Sequence, residues 1–476
     1  MQVPRRVTSG LMTGDGAPIA AHGMGRDLAA GATGAVAAAG ALGPLRSELR
    51  PADFTVAAAG AASIVANYRD ATTIAVDQGK LLLVLGGGAA RFLVEQLGDR
   101  LGLVVSELRE RRARQMLHDR FIEVPYRERL ELVEFEHSEA RGVAQIAYHE
   151  WGVALLPVDE RQPWLLVRRA DIATVAADPT NGTVTIRLTP RPGTNPQPPI
   201  QLLALGDRNE HHRQQLVALR DGAASDAATL VTQLVPDAPF QARQRAASLL
   251  VDGSPAAPSE LAEAWPFVER AVLVDPTFAA SYHALVARGT IDGQAPPAWL
   301  ALAPRQPIVP GAQPQTDPGA SDSMSWFFVG LPGNLVAFEL VSAGSHATYL
   351  FRAVPRTDFQ GQSPAALVAQ LAQAVYDISE CLIDARFLRE MIYLTDAALA
   401  DPRYTRYRFA IAALPSLQIA RTRFVGRLIH RDDATWSAAL DDAIKFNGTS
   451  RVDSVVWTGG AAGTDSDDDG ATQEGG

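Results

Sequence analysis

Three adjoining stretches decide the fold of this chain: RGVAQIAYHEWGVALLPVDE (Arg141–Glu160), QPWLLVRRADIATVAADPTNGTVTIRL (Gln162–Leu188) and IQLLALGDRNEHHRQQLVALRDG (Ile200–Gly222). Short apolar segments recur at Val143–Tyr148, Trp151–Leu156, Trp164–Val167, Ile172–Val175, Val184–Leu188 and Ile200–Leu205. Breaker-rich turns separate them, Asp178–Gly182 being the clearest, so each reads as a strand. Asp207 with Glu210 three residues on gives a capping-box start, and Leu216 and Leu219, with His212 one turn earlier, form a face that turns towards the strands. The proline-rich stretch Thr189–Pro199 reads as an exposed loop. The pattern predicts a small antiparallel β-barrel closed by a helix, an architecture suited to binding.

Upstream, a similar order is legible. Segments at Phe54–Ala59, Ser63–Tyr68, Thr72–Val76 and Leu81–Leu85 are separated by polar turns at Asn67–Asp70 and Asp77–Lys80. Leu93, Leu97, Leu101, Val104 and Leu108 then follow at helical spacing, interrupted by Gly98 and Gly102. Strands followed at once by a terminal helix resemble the pleckstrin-homology-like superfold of bacterial proteins. The likeness rests on Gly152–Val175, which runs strand, polar loop, tryptophan-containing strand and then ADIATV. It covers residues 141–222, and residues 53–120 more weakly. What it implies is interaction: members of that superfold bind peptides or lipids at loops and sheet edges, and fold alone does not choose between them.

The rest of the chain reads as helical, then mixed. Leu249, Leu250, Leu261, Trp265, Val268 and Val272 suggest short helices around the breaker segment Asp252–Pro258, and VDPTFAASYHALVARG (Val274–Gly289) looks like one junction of a tetratricopeptide-type repeat without further copies. Ala295–Ser321 has a linker composition. Beyond it, Trp326–Val329, Leu335–Leu340 and Ala347–Val354 predict an antiparallel meander, and Leu367, Leu371, Val375, Ile378 and Leu382 mark a long buried helix capped at Ser363–Pro364. Helices are expected at Phe387–Leu399, Leu417–Ile429 and Trp436–Ile444. The expected fold class is therefore multidomain α+β: one or two small barrels of the pleckstrin-homology-like kind, each closed by a helix, and a C-terminal antiparallel sheet with packed helices. The boundaries that follow are 1–48 (a flexible Ala/Gly-rich arm), 49–125 and 126–235 (the two strand-plus-helix domains), 236–292 (a helical connector), 293–322 (a Pro/Gly-rich linker), 323–457 (the C-terminal domain) and 458–476 (an acidic disordered tail).

Composition narrows the function classes. With 47% hydrophobic and 20% charged residues, the 476-residue chain has the balance of a folded globular protein and the length of several cores. Its formal net charge of −10 argues against nucleic acid as a partner. Of its 43 basic residues all but Lys80 and Lys445 are arginine, which fits a GC-rich bacterial genome. The single cysteine, Cys381, excludes an intrachain disulfide and a cysteine-built metal site, and its helical setting points to packing. Asp15, His22, Arg26 and Asp27 break any apolar core an export signal would need, so the cytoplasm is the expected compartment.

Few residues carry chemistry. Gly86, Gly87 and Gly88 follow a strand and precede an expected helix, the setting in which backbone amides bind phosphate, although Arg91 stands where a dinucleotide fingerprint wants Gly or Ala. Arg109, Arg111, Arg112 and Arg114, with Arg120, cluster late on the first helix, either as an anion or partner site or as a solvated face. His211 and His212 point in different directions on a helix and read as surface residues. His149 and Glu150 fall in a turn, and Glu131, Glu134, Glu136 and Glu139 read as a charged strand edge. No catalytic residue, metal site or cofactor is expected. The expected function is non-enzymatic binding or scaffolding, with another protein as partner; the alternatives are a nucleotide-dependent enzyme or regulator using Gly86–Gly88, and a peripheral binder of anionic lipid headgroups using the arginines.

Overall fold

In a computed structural model the structure describes residues 5–12, 18–27, 45–49, 53–58, 64–85, 90–94, 98–122, 130–159, 161–190, 196–290, 295–304, 323–341, 347–353, 364–430 and 432–449. The fold is α+β with antiparallel sheets throughout, and it divides into two compact units. The first unit comprises residues 1–189 and 196–220, the second 190–195 and 221–476.

The first unit opens with β1 (Arg5–Met12), β2 (Pro18–Asp27), β3 (Leu45–Leu49), β4 (Asp53–Ala58), β5 (Ile64–Asn67), β6 (Ala71–Asp77), β7 (Lys80–Leu85) and β8 (Ala90–Val94), then α1 (Leu101–Asp119). These strands form a sheet in the order β1-β2-β8-β7-β6 and a second sheet β3-β4-β5. Strands from the stretch read as a flexible arm are thus part of the first block. The reason is pairing: β8 needs a partner on each side, and β2 supplies it through Gly25↔Val94 and Asp27↔Phe92. The helix expected from Leu93 begins only at Leu101. Leu93 belongs to β8, whose hairpin with β7 (Leu85↔Ala90) outweighs a fortuitous four-residue spacing, and Gly98, at φ +52°, breaks the backbone before the helix. Leu97 lies outside the described residues.

The second block has β9 (Glu131–Glu136), β10 (Arg141–His149), β11 (Gly152–Pro157), β12 (Leu165–Arg168), β13 (Ile172–Asp178), β14 (Thr183–Leu188) and β15 (Ile200–Leu203), then α2 (Asn209–Leu234), of which residues to Arg220 belong to this unit. The seven strands form one sheet, β12-β11-β10-β9-β15-β14-β13. Among the described residues it does not close into the expected barrel: β12 and β13 remain its two edges. Its core is Val133, Phe135, Ile146, Val153, Leu155, Val184, Ile186, Ile200 and Leu202, alternating inward along the strands, with Leu216 of α2 completely buried against them.

The two blocks differ in their early strands but repeat each other in their later elements. In each, the last three strands form a meander (β8-β7-β6, β15-β14-β13), and the last strand pairs on its other side with an earlier one (β2 with β8, β9 with β15). In each, a one-turn 3-10 helix (Tyr68–Asp70, Arg169–Asp171) leads into a strand carrying a bulge, at Ala71/Thr73 and at Ile172/Thr174. Both end in a 3-10 turn of identical sequence, Gly-Asp-Arg at 98–100 and 206–208, directly before the helix. Leu101 onward therefore matches Asn209 onward, and buried Val104 and Leu108 fall on buried His212 and Leu216.

α1 lies between the blocks. Val104, Val105 and Leu108 are buried, and Arg109 reaches β6, while Ala113 and Leu117 pack with Ala147, Ala154 and Leu156 on the outer face of β10 and β11. The guanidinium of Arg120 sits 3.8 Å above the Trp164 ring.

The second unit continues from α2 through α3 (Phe240–Leu249), α4 (Pro258–Leu261), α5 (Trp265–Val272), α6 (Pro276–Gly289), β16 (Ala298–Pro304), β17 (Ser323–Leu331), β18 (Leu335–Leu340), β19 (Ala347–Arg352), α7 (Pro364–Asp384), α8 (Glu390–Tyr393), α9 (Asp396–Leu399), α10 (Thr405–Ala413), α11 (Pro415–Arg423), β20 (Phe424–Ile429) and α12 (Asp433–Thr449). The strands form one sheet in sequence order, β16-β17-β18-β19-β20. Leu300, Phe327, Val329, Ala337 and Leu350 share a core with residues of α3, α5, α6 and α12. Trp326, on the opposite side of β17 by alternation, meets Phe387 and hydrogen-bonds α7 through Ser379. Cys381 is buried in α7.

Three expectations change here. The segment read as a linker contains β16, which pairs with β17 from Ala298↔Val329 to Pro304↔Ser323 and bridges Ala256 through Leu300. The connector and the C-terminal domain therefore share one core, and no unit boundary falls at 293–322. The helix expected at Leu417–Ile429 is α11 followed by β20, because Phe424–Ile429 pairs with β19 and completes the sheet, burying Val425 and Leu428 in its core. The helix expected at Phe387–Leu399 is split into α8 and α9, with Arg386 and Phe387 both at positive φ just before α8. The acidic tail lies outside the described residues.

Candidate binding site on the second block

α2 is pinned to its sheet at two points. Asn209, 5% exposed, donates from Nδ2 to the carbonyls of Asp178 (3.2 Å) and Thr183 (2.8 Å), fastening the start of the helix to the β13–β14 hairpin. This replaces the expected Asp207–Glu210 capping box: Asp207 lies in the preceding 3-10 turn, and Glu210 is taken by Arg213 and Gln214. One turn later His212, with no exposed surface, holds the other side. Its Nδ1 is 2.8 Å from the Tyr148 hydroxyl on β10, and its Nε2 is 3.6 Å from Glu131 on β9.

The expectation that both histidines lie at the surface is thus wrong for His212, though right for His211. Adjacent helical residues point about 100° apart, so burying one exposes the other. Sequence reasoning missed the trio because its members are scattered over three elements. Glu131 also departs from the expected strand edge: β9 is paired on both sides, by β10 and β15, and Glu134 and Glu136 are exposed on its outer face instead.

Burial depresses the His212 pKa, with Glu131 opposing and His211 and Arg208 adding to the depression. Burial, and then the Glu131 charge, push the Tyr148 hydroxyl well above its ordinary value. The consistent assignment is a protonated Tyr148 donating to Nδ1 of a neutral imidazole. Such a pair positions a helix; it supplies neither a tyrosinate nor a charged acid.

A sign follows for stability. The unfolded chain protonates this histidine below about pH 6.5 and the folded chain resists, so its contribution is complete above that value and is lost as pH falls. His212→Val, which installs the residue of the first block, is expected to flatten the decline in melting temperature between about pH 6.5 and pH 5. Equal slopes for the two proteins in thermal scans would refute the assignment.

The first anchor holds the end of the edge strand β13. Its inward residues Val175 and Ala177, with Leu188 and Leu219, border the core but are only partly buried. Among the described residues β13 pairs with β14 alone.

The arginine cluster has a different setting from either expectation. Arg109 donates from Nε (3.1 Å) and Nη2 (2.8 Å) to the Ile74 carbonyl. Arg111, 5% exposed, donates to Glu107 at 2.6 Å, and Arg114 to Glu110 at 2.7 Å. Arg112 is half-buried. A helix packed between two β-surfaces has little face left for solvent, and pairs at i, i+4 offset the desolvation of its charges. Gly86, Gly87 and Gly88 lie outside the described residues; the described element that follows them is the strand β8. His149 stacks on Trp151 at 5.9 Å.

The second unit holds one more buried polar cluster. Glu339, 1% exposed, accepts from Ser281 (2.7 Å) and from Thr348, whose oxygen also accepts from Trp436 Nε1 (2.9 Å), with His430 Nε2 2.9 Å away. Its carboxylate is met by donors from α6 and β19 and by the ring of His430, 3.3 Å away, so it reads as a satisfied structural network.

Among the described residues no helix is long and apolar enough to cross a membrane, and no group of three His, Cys, Asp or Glu is placed to hold a metal ion. No protein-family model matches the chain, and no curated protein matches it.

Proposed function

We propose that this chain is a non-enzymatic binding or scaffolding protein of pleckstrin-homology-like character, and that its second block takes an extended stretch of another protein along β13. The observation that carries the reading is the open β13 edge beside partly exposed Val175, Ala177, Leu188 and Leu219. A sheet edge offers unpaired backbone donors and acceptors, and the adjoining apolar side chains give a docked strand something to bury. The seven antiparallel strands followed by a helix support the likeness, and the tethers at Asn209 and His212 hold the helix that forms one wall. The charge-paired setting of the arginines makes the lipid reading weaker.

Panning a displayed library of random linear peptides on the full chain tests this. Selected peptides are expected to slow amide exchange in β13 and to lose binding on Val217→Arg, which puts an arginine at the helix position equivalent to Arg109, the residue that caps an edge carbonyl in the first block. Selection of no peptides, or of peptides that leave β13 exchange unchanged, would overturn the proposal.

A further inference from the structure

The two blocks present the same edge strand, but only one of them is stoppered. In the first block Asp77 and Lys80 flank the two-residue turn Gln78–Gly79, both at positive φ, as in a tight hairpin. Counting back along β6, pairs that exchange hydrogen bonds with β7 alternate with pairs that do not. Asp77 and Ala75 face β7, so the amide and carbonyl of Ile74 face outward, along the free edge. The Arg109 guanidinium is seated there, aiming two N–H groups at that single carbonyl. An edge carbonyl in this position otherwise takes its donor from the backbone of a neighbouring strand or from water.

The second block lacks the stopper. Ile74 lies one residue past the bulge pair Thr73↔Val84, as Val175 lies one past Thr174↔Arg187. On the helices, the shared Gly-Asp-Arg turn and the buried pairs Val104/Leu108 and His212/Leu216 place Arg109 opposite Val217. Valine carries no donor. Among the described residues no side chain donates to the Val175 carbonyl.

We infer that the first block carries a second, latent docking edge at β6 for an extended polypeptide, held shut by the side chain of Arg109. The occupant is set by the chemistry of the stopper: a pair of N–H donors reaching an outward carbonyl stands in for the amide of an added strand. The inference rests on the proposed strand docking for its ligand class, but the closed state of β6 does not depend on whether β13 is used.

The test pans the same linear-peptide library on four full-length proteins: the unaltered chain, Val217→Arg, Arg109→Met, and the double variant. Methionine keeps the aliphatic bulk of the arginine stem, and melting temperature checks folding; Arg109→Gln serves if the methionine variant melts early. The unaltered chain is expected to bind peptide at β13 only, and Val217→Arg to lose that binding. Arg109→Met should raise the bound peptide from one to two per chain, with new exchange protection in β6. The double variant should bind one, at β6. Peptide binding at β13 with no gain at β6 in Arg109→Met overturns the inference and leaves the proposed function standing. Binding at β6 in Arg109→Met without any at β13 in the unaltered chain overturns the proposed function and supports the inference. No binding by any of the four overturns both.

Discussion

Gly152→Ala is expected to cost about 3 kcal/mol or more and to release β12 from the second block, because there is no room for a side chain at this position. A Cβ built on Gly152 would lie 2.0 Å from the Val167 carbonyl oxygen and 2.9 Å from the Arg168 Cα. Both obstacles are backbone, so no rotamer change relieves them. Gly152 pairs with His149 on one side and Arg168 on the other, at the turn where β10 passes into β11. The sheet must therefore separate by more than an ångström or lose the β11–β12 ladder. For a unit of this size a loss of 3 kcal/mol lowers the melting temperature by roughly 6–12 °C. Amide exchange should accelerate first at Leu165–Arg168, and next across the face that α1 covers through Ala154 and Leu156. A variant with unaltered melting and unaltered exchange in β12 would show that the close approach is not needed for the fold.

Trp326→Ala is expected to destabilise the second unit by about 3–5 kcal/mol, as truncation of a buried tryptophan does where the site cannot collapse. Trp326 has no exposed surface. Its ring meets Phe387 edge-on at 5.1 Å, and its Nε1 donates to Ser379 Oγ at 3.2 Å. Ser379 in turn donates to the Gly253 carbonyl at 2.7 Å, and a Cβ on Gly253 would come within 2.8 Å of the indole. The ring thus links β17, α7 and the turn after α3, three elements far apart in sequence. Trp326→Phe retains apolar bulk but not the donor, so it should cost less than the alanine variant in urea denaturation. Equal costs would mean that the apolar bulk retained by phenylalanine contributes nothing, and that the loss of the indole donor to Ser379 accounts for the effect.

The strand positions of the second block were readable in advance because burial is recorded locally: as alternation where one face meets solvent, as in β9 and β14, and as an unbroken apolar run where both faces are covered, as in β11. Largely apolar runs likewise marked β18 and β19, and helical spacing marked α7. Reading failed where one local pattern served two structures. Leu93 to Leu108 keeps helical spacing across a strand, a glycine break and a helix, and Leu417 to Ile429 hides β20 behind α11. It failed again at Ala298–Pro304, whose apolar core sits between proline-rich flanks and has meaning only as the partner of β17.

Within the candidate site, the spacing to Leu216 put His212 on the strand-facing side of its helix, yet the pair of histidines read as surface because Tyr148 and Glu131, which reach His212 across the sheet, are far away in sequence. The arginines were legible as a cluster. Their role was not, since a helix with cations on most of its turns looks the same whether its neighbour is water or a second sheet.

By itself the sequence determined the α+β class, the alternating strands of the second block, the helix after them and the single packed cysteine, all properties that burial writes into short-range periodicity. Only the tertiary structure decided that β2 from the N-terminal stretch completes a sheet beside β8, that α1 is enclosed between the blocks, and that the Arg109 guanidinium caps the Ile74 carbonyl at a sheet edge. These depend on which surfaces meet across long sequence separations, and no local pattern encodes such a meeting.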